Sequence, residues 1–277
     1  MRVAPSGLSP ITASRGHESG MNNLLPLALS GFSATLTLML VAWLISLRTH
    51  NVAIVDVFWG IAIAGAGISW LYLWPATSTR GVLVALLATV WAIRLGAHLL
   101  WRGRGQAEDR RYREIRARNE PNFRFKSLYL VFGLQAVLAW LVAMPLLGGV
   151  ISSAPIGSLD RFGTLLWAFG LVFESVADYQ LARFQRDGGA ARGVMNTGLW
   201  RFSRHPNYFG EFVLWWGIGL IAVAGGAWWA LIGPFLLSVF LLKVSGIALT
   251  EKDIATRRPA YQDYMRRTSA FVPRPPR

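Results

Sequence analysis

Seven apolar stretches, each close to the length of a membrane-spanning helix, dominate this sequence. The hydrocarbon core of a bilayer is about 30 Å thick, and a helix needs about 20 apolar residues to cross it. The stretches cover residues 24–47, 52–74, 82–101, 128–150, 162–182, 208–223 and 228–249. They predict an all-α, polytopic integral membrane protein in which residues 24–277 form one seven-helix domain. The segment 1–23 contains many Ser, Gly and Pro residues and few charges, which predicts a disordered tail. It also lacks the basic start and short apolar run of a signal peptide.

The composition excludes several classes of protein. Hydrophobic residues make up 53% of the chain and charged residues 15%, so neither a water-soluble enzyme nor a disordered chain fits. The chain contains no Cys, which excludes a disulfide framework, thiolate metal sites and a cysteine nucleophile. It also has no HExxH or similar pair, and no metal site is predicted.

The basic residues alternate between the two sides of the predicted spans. Of the 28 Lys and Arg residues, 22 fall in segments on one side and four fall on the other. Because Lys and Arg favour cytoplasmic loops, the amino terminus is predicted outside and the carboxy terminus in the cytoplasm. Membrane topology therefore accounts for most of the net charge of +14, and no nucleic-acid partner is predicted.

Polar residues inside the spans gather toward the predicted cytoplasmic side. Such residues are costly in a membrane and usually face a cavity. Several are spaced i, i+4, which places them on one face of a helix. No comparable set is expected near the opposite ends of the spans. The sequence predicts a polar pocket open to the cytosol and built from Asp56, Arg94, His98, Glu174, Asp178, Asn207, Glu211 and Lys243.

An Arg-rich rim surrounds this predicted pocket. Arg binds phosphate in a fork geometry, and the acidic and amide groups can accept hydrogen bonds from ribose hydroxyls. Both features fit a cytosolic, polyanionic, sugar-bearing cofactor. Structural alternatives stay open, because rim Arg residues also set topology and bind lipid headgroups, and Asp56 could form an ion pair with Arg94. The rim consists of Arg102, Arg104, Arg183, Arg186, Arg192, Arg201, Arg204, Arg257 and Arg258.

The segment 204–211 carries more specific information. Pro206 can open a helix at its first turn, where its missing N–H costs no hydrogen bond. His205, Asn207 and Tyr208 would then surround the positive end of that helix. Such an end suits an anionic group.

Residues 195–211, which read MNTGLWRFSRHPNYFGE, closely resemble the bacterial DUF1295 family. The resemblance extends to residues 55–60 (VDVFWG), 109–112 (DRRY) and 258–264 (RPAYQDY). That family is similar to the carboxy-terminal region of steroid 5-alpha-reductases, and more distantly to sterol reductases and isoprenylcysteine methyltransferases. The resemblance implies a helical membrane core with a cytosolic cofactor pocket, placed in a bacterial inner membrane.

The reductase relatives imply NADPH-dependent reduction of an activated carbon–carbon double bond in a lipophilic, steroid- or isoprenoid-like substrate. On the fifth and sixth spans, the resemblance assigns cofactor contacts to Glu174, Asp178, Asn207 and Glu211. It assigns further contacts to the Arg-Gly-Arg segment (Arg102 and Arg104), to a basic phosphate contact (Arg186) and to a tail aromatic (Tyr264). In the 195–211 motif, the assigned residues are Asn196, Arg204, His205 and Tyr208.

One departure from the reductase pattern concerns the proton donor. The steroid reductases carry a Gln-Glu pair on the second span and a Tyr on the third, which polarise the substrate carbonyl. Here the second span offers only Asp56, and residues 89–91 of the third span read TVW. The predicted catalytic residues are therefore Asp56 if burial keeps it protonated, His98, or Arg94 as an electrophile.

Two other functions fit parts of the sequence. The run 204–208 (RHPNY), followed later by Glu251, favours a methyltransferase that uses S-adenosylmethionine. Such methyltransferases carry two adjacent Glu residues where this chain reads Glu251-Lys252. A non-enzymatic lipid-binding or transport protein is the third interpretation, although the spans show no inverted repeat. Membrane lipids are expected partners in every case.

Overall fold

The structure is a computed structural model that describes residues 11–76, 78–105, 107–189, 193–244, 246–251 and 260–276, with side chains from residue 24 onward. These residues form helices and connecting turns, and no strand occurs among them. The predicted all-α fold is therefore confirmed. The predicted tail falls partly on residues 1–10, which lie outside the described residues, and the first helix begins at Ile11.

The α-helices are numbered here in chain order. They are α1 (Ile11–Thr49), α2 (Ile54–Leu73), α3 (Thr79–Gly103), α4 (Arg110–Asn119), α5 (Phe123–Ser127), α6 (Leu134–Val142), α7 (Met144–Val150), α8 (Ser158–Arg186), α9 (Pro206–Ala224), α10 (Ile232–Val239), α11 (Ile247–Glu251) and α12 (Ala260–Arg267). Two π-helical segments, Leu128–Gly133 and Phe240–Val244, continue neighbouring helices.

In the described part of the chain, six helical stretches are long and apolar enough to cross a membrane. They are Leu24–Thr49, Ile54–Leu73, Thr79–Gly103, Phe123–Val142, Pro206–Ala224 and Trp228–Glu251. The seventh predicted span, residues 162–182, is also helical and lies within the 29 residues of α8. Charged residues such as Glu174 and Asp178 lower the mean hydropathy of α8. The prediction of a polytopic membrane protein is confirmed.

Helices α8 and α9 approach each other through glycine. A Cβ atom added at Gly163 would lie 2.6 Å from the carbonyl oxygen of Gly217, and one added at Gly170 would lie 2.5 Å from that of Gly210. Only glycine permits so close a backbone contact. The two pairs are seven residues apart on each helix, so α8 and α9 run antiparallel. This register brings Glu174 beside the start of α9, with its backbone nitrogen 2.6 Å from a Cβ placed at Gly210.

Helices α3 and α8 run parallel. Arg80 in the first turn of α3 pairs with Asp160 in the first turn of α8, with 2.7 Å between Nε and Oδ1. Near the other ends, the Arg186 guanidinium lies 5.2 Å above the ring of Trp101. Residues at corresponding heights of these two helices therefore face each other.

The Arg80–Asp160 pair is part of a closed network. Arg80 donates to both carboxylate oxygens of Asp160 at 2.7 and 2.9 Å, to Ser152 Oγ at 2.6 Å, and to the carbonyl oxygens of Ala154 and Pro155 at 2.8 and 2.9 Å. The sequence did not predict this closed network. Each residue taken singly resembles a loop charge, because the two are 80 positions apart in the chain and only the fold joins them.

An aromatic cluster joins α2, α3 and α9. The rings of Trp91 and Trp215 meet edge to face with centroids 5.1 Å apart, and Trp59 lies 6.3 Å from Trp91. Trp91 and Trp215 are fully buried. Arg94 follows Trp91 by three residues and Glu211 precedes Trp215 by four. Arg94 and Glu211 therefore each lie one helical turn from this aromatic cluster.

Candidate functional site

Arg94 lies at the centre of a group of polar side chains on α3 and α8. Its Nη1 donates to Glu174 Oε1 and its Nη2 to Asp178 Oδ2, each at 2.6 Å, while its Nε donates to Ser175 Oγ at 3.0 Å. Glu174 and Asp178 are four residues apart, so one face of α8 presents both carboxylates to Arg94. His98, one turn further along α3, places Nε2 3.7 Å from Asp178 Oδ2.

Helix α9 completes the group from the other side. Pro206 opens α9 at its first position, as predicted. Asn207 Nδ2 donates to Asp178 Oδ1 at 3.1 Å. Glu211, one turn further, lies close enough for its charge to act on Glu174 and Asp178. We call this group the carboxyl cluster; it consists of Arg94, Glu174, Asp178, Asn207 and Glu211.

Two acceptor atoms of the carboxyl cluster are buried with no hydrogen-bond partner among the described residues. They are Glu174 Oε2 and Asn207 Oδ1. Buried polar atoms are normally paired, and an unpaired one costs about 1–3 kcal/mol. Glu174 is only 3% exposed, so bulk water reaches it poorly. The arrangement suits a ligand that brings its own hydrogen-bond donors.

Asp56 contacts α4 and not Arg94. Tyr112 Oη donates to Asp56 Oδ1 at 2.5 Å, and Arg111 Nη2 donates to Oδ2 at 3.2 Å. Asp109 caps α4 by accepting a hydrogen bond from the backbone N–H of Arg111 at 2.9 Å. The chain after α3 therefore turns back toward α2. The alternative that Asp56 and Arg94 form a structural ion pair is wrong.

Tyr112 is a candidate functional residue that the sequence did not reveal. The DRRY motif at residues 109–112 contained a helix-start signal, but nothing in its spacing placed Tyr112 beside the second span. Burial, together with the nearby Asp56 carboxylate, raises the pKa of the Tyr112 phenol well above its usual value. The phenol therefore keeps its proton and donates it in a hydrogen bond to Asp56.

Arg204 and His205 lie beside Glu251. Arg204 donates through Nε and Nη2 to the two carboxylate oxygens of Glu251 at 2.7 and 2.9 Å, and through Nη1 to the carbonyl oxygens of Met265 and Thr268 at 3.0 and 2.7 Å. His205 Nε2 lies 2.9 Å from Glu251 Oε1. The anionic group beside the start of α9 in this structure is therefore the chain's own Glu251.

Two aromatic residues that were predicted to contact the cofactor, Tyr208 and Tyr264, lie in the same part of the fold. The ring of Tyr208 stacks on that of His205, with centroids 5.3 Å apart and an interplanar angle of 9°. The Tyr264 hydroxyl donates to the carbonyl oxygens of Trp200 and Ser203. These bonds tie α12 to the segment that leads into α9. The roles of Arg204, Tyr208 and Tyr264 in cofactor binding stay predictions.

The predicted Arg-rich rim is partly described. Arg102 and Arg104 are exposed at the end of α3, and Arg186 is exposed at the end of α8. Asn196, in the segment before α9, is exposed as well. Lys243, predicted within the pocket, is exposed on a π-helical segment and does not join the carboxyl cluster. Other predicted members lie outside the described residues: Arg192, Arg257 and Arg258.

A groove of about 490 Å³ lies on the outward face of α8. Its volume falls in the range of small-molecule pockets, about 300–1,000 Å³. The groove borders the neighbours of Asn196 but contains no member of the carboxyl cluster. Its lining includes Tyr179, Gln180, Arg183, Met195 and Thr197.

Comparisons with known proteins identify the family of this chain. The model of the family described as "Protein of unknown function (DUF1295)" matches residues 42–268. An uncharacterized protein of Schizosaccharomyces pombe (strain 972 / ATCC 24843), C594.04c, is 28% identical in an alignment of 275 positions that covers 84% of this chain and 76% of that protein. No solved structure matches the chain. Because the family match includes α2, α3, α8 and α9, which carry the polar residues described above, the protein belongs to the DUF1295 family.

Proposed function

We propose that this protein is an integral membrane reductase that uses NADPH to reduce an activated carbon–carbon double bond in a lipophilic, steroid- or isoprenoid-like substrate. The observation that carries the proposal is the carboxyl cluster, in which Glu174 Oε2 and Asn207 Oδ1 are buried without partners in the described part of the chain. The resemblance to steroid 5-alpha-reductases points to the same residues. Two independent lines thus converge on one group of side chains.

The cluster offers the acceptors that such a cofactor needs. Ribose hydroxyls and the carboxamide N–H groups of a nicotinamide are hydrogen-bond donors, and carboxylate and amide oxygens accept from them. Glu174 Oε2 and Asn207 Oδ1 are therefore assigned to hold those groups. Asp178 Oδ1 already accepts from Asn207, so its role is to orient the Asn207 amide.

The phosphates of the cofactor need cations. Arg102, Arg104 and Arg186 are exposed at the ends of α3 and α8, beyond the carboxyl cluster on the same two helices. Arg forks bind phosphate oxygens through charge-assisted hydrogen bonds. Arg204 is less suited to this task, because Glu251 and two backbone carbonyls engage its guanidinium.

NADPH, when bound, supplies a hydride. A substrate whose double bond is conjugated to a carbonyl then needs a donor at that oxygen and a proton, because negative charge develops there. The Asp56–Tyr112 pair holds a proton on Tyr112 Oη, 2.5 Å from Asp56 Oδ1. His98 of α3, which lies beside Asp178 of α8, is the next candidate donor.

A second candidate function is transfer of a methyl group from S-adenosylmethionine. The observation in its favour is that Arg204 and His205 both bind Glu251, so a motif shared with methyltransferase relatives forms one connected group. This group holds α12 and the start of α9 together, which is also a sufficient structural role. We therefore rank methyl transfer below reduction.

The cofactor that co-purifies with the protein separates these functions. The protein would be purified in mild detergent and extracted, and the extract analysed by mass spectrometry. Calorimetric titrations with NADPH, NADH and S-adenosylmethionine would follow. We expect NADP(H) in the extract and tighter binding of NADPH than of NADH, because an additional phosphate gains bonds to Arg. Recovery of an adenosylmethionine product, or an absence of NADPH binding, contradicts the reductase.

A further inference from the structure

A small polar niche lies where the end of α1 meets α4 and α5. Its volume is about 30 Å³, and its lining contains three basic side chains and two hydroxyls but no carboxylate. None of the lining residues belongs to the carboxyl cluster or to the Asp56–Tyr112 pair. The lining includes Ser46, Leu47, His50, Arg116, Arg124 and Ser127.

Arg116 is fixed at one side of the niche. Its Nε and Nη2 donate to the two carboxylate oxygens of Glu108 at 3.1 and 2.9 Å, and Nη2 also donates to the carbonyl oxygen of His50 at 3.3 Å. The guanidinium lies 4.9 Å from the ring centroid of Phe123. No hydrogen bond among the described residues uses Nη1 of Arg116. Its two N–H groups are therefore available to a ligand.

Arg124 forms hydrogen bonds only through its backbone in the described part of the chain. Its carbonyl oxygen accepts a hydrogen bond from Trp43 Nε1 at 3.0 Å, which holds this residue against α1. Its guanidinium lies 4.8 Å from the ring of Phe125 and has no hydrogen-bond or ion-pair partner in the described part of the chain. Glu108 offsets only the charge of Arg116. The niche therefore keeps an uncompensated positive charge and favours an anion.

The position of the niche favours a lipid as the source of that anion. The candidate span of α1 ends at Thr49, and the candidate span Phe123–Val142 begins at the same niche. The ends of spans lie in the headgroup region of a bilayer. Leu36 and Leu40 are exposed on α1, on the same side as Leu47 of the niche by helical spacing. An acyl chain can lie along this apolar track while its headgroup reaches the basic side chains.

We propose that this niche binds the phosphate of an anionic phospholipid headgroup. A cavity of about 10–15 Å³ holds one water molecule, so the niche accepts two oxygens of one phosphate while the rest of the headgroup stays outside. The donors are Nη1 of Arg116, the guanidinium of Arg124 and the ring of His50. The bound lipid would clamp α1 to α5 at the membrane surface.

The test measures the thermal unfolding midpoint in a zwitterionic detergent as short-chain phosphatidylglycerol is added. Parallel titrations use short-chain phosphatidylcholine and inorganic phosphate. The variant is Arg124→Gln, and the matched control is Arg113→Gln, which removes an exposed Arg of α4 outside the niche. We expect phosphatidylglycerol to stabilise the parent protein and Arg113→Gln at the same half-saturating concentration. Arg124→Gln should need about tenfold more, the usual effect of losing a charge-assisted hydrogen bond.

Equal half-saturating concentrations for Arg124→Gln and Arg113→Gln would overturn the proposal. They would indicate that the anionic lipid is attracted to the net positive charge of the protein and not to the niche. Stabilisation by inorganic phosphate at the same concentration as phosphatidylglycerol would also overturn it, in favour of a free-phosphate site. Equal stabilisation by phosphatidylcholine would remove the preference for anionic lipid. If Arg124→Gln does not fold, His50→Gln provides the same comparison from the other side of the niche.

Discussion

Helices α3 and α8 twice pair an Arg with an acidic residue, and the two pairs differ in how completely they are satisfied. Arg80 with Asp160 and Arg94 with Glu174 lie 14 residues apart on both helices, about 21 Å at 1.5 Å per residue. All five N–H donors of Arg80 have acceptors, and both members of its pair are 1% exposed. Arg94 uses three donors, and Glu174 Oε2 has no partner among the described residues.

This difference distinguishes a closed structural ion pair from the proposed binding site. A buried pair whose donors are all satisfied offers no bond to a ligand, and it holds helices in register. The carboxyl cluster sets three carboxyl groups against one guanidinium. Such an excess of buried acceptors favours a ligand that donates hydrogen bonds. Polar residues inside spans are therefore evidence for a site only where their hydrogen bonding is incomplete.

The largest expected effect is all or none and concerns the side of the membrane on which each pair lies. The alternation of basic residues predicts that the Arg80 end is outside and the Arg94 end is cytoplasmic. Since the chain has no Cys, single cysteines can be introduced at two exposed positions, Ser153→Cys and Arg118→Cys. In intact spheroplasts, a membrane-impermeant maleimide should label only Ser153→Cys. Labelling of both positions would contradict a membrane crossing between them, and labelling of Arg118→Cys alone would contradict the predicted orientation.

The next effect is on stability. Arg80→Met should lower the free energy of unfolding by about 3–5 kcal/mol, because it leaves Asp160 buried and unpaired. Arg94→Met should cost less, about 1–3 kcal/mol, since the open cluster already tolerates unpaired acceptors. Thermal unfolding in detergent would compare the two variants. If Arg94→Met destabilises the protein as much as Arg80→Met, the carboxyl cluster is also a structural device.

The part of this arrangement that follows from the sequence is the part that depends on helical periodicity. Glu174 and Asp178 share a face because they are four residues apart, and the same spacing relates Asn207 to Glu211. The partner of Asp56 could not be predicted in this way. It depends on where the segment after α3 returns, and that direction is set by the Asp109 cap and by packing.

The Arg80–Asp160 pair was unpredictable for a related reason. Its members are 80 residues apart, and each sits in the first turn of its own helix. Only the parallel packing of α3 and α8 brings them together. The antiparallel register of α8 and α9 is likewise set by glycine contacts, whose partners no local pattern identifies. Periodicity predicts faces, and packing decides which faces meet.

The third effect concerns Asp56 and tests whether its pair with Tyr112 is structural, like Arg80–Asp160, or functional, like the proposed site. Asp56→Asn keeps size and shape but loses the titrating group. If the pair supplies a proton, this variant should fold, bind NADPH and show single-turnover oxidation of NADPH slowed by about 100-fold or more. The measurement requires a prior screen of enone substrates. Tyr112→Phe, which removes only the hydroxyl, should slow the same step.

The structural reading of the Asp56–Tyr112 pair makes the opposite prediction. The hydrogen bond would then only hold α4 against α2, as Arg80 holds α3 against α8. Both variants would lower the thermal unfolding midpoint while turnover survived. That result would remove Asp56 and Tyr112 from the proposed mechanism and make His98 the donor to test.

The smallest predicted effect is on cofactor affinity, and it tests the open cluster directly. Asn207→Ala removes the unpaired Oδ1 and the bond from Nδ2 to Asp178. We expect NADPH affinity in a calorimetric titration to fall about tenfold, or roughly 1.4 kcal/mol, and Asp178→Ala to act in the same direction. The matched control is Ser152→Ala, which removes one hydroxyl from the closed network of Arg80 and should leave NADPH affinity unchanged. Unchanged affinity in both cluster variants would exclude these side chains from the cofactor site, because an acceptor that receives a bond from the ligand cannot be removed without cost.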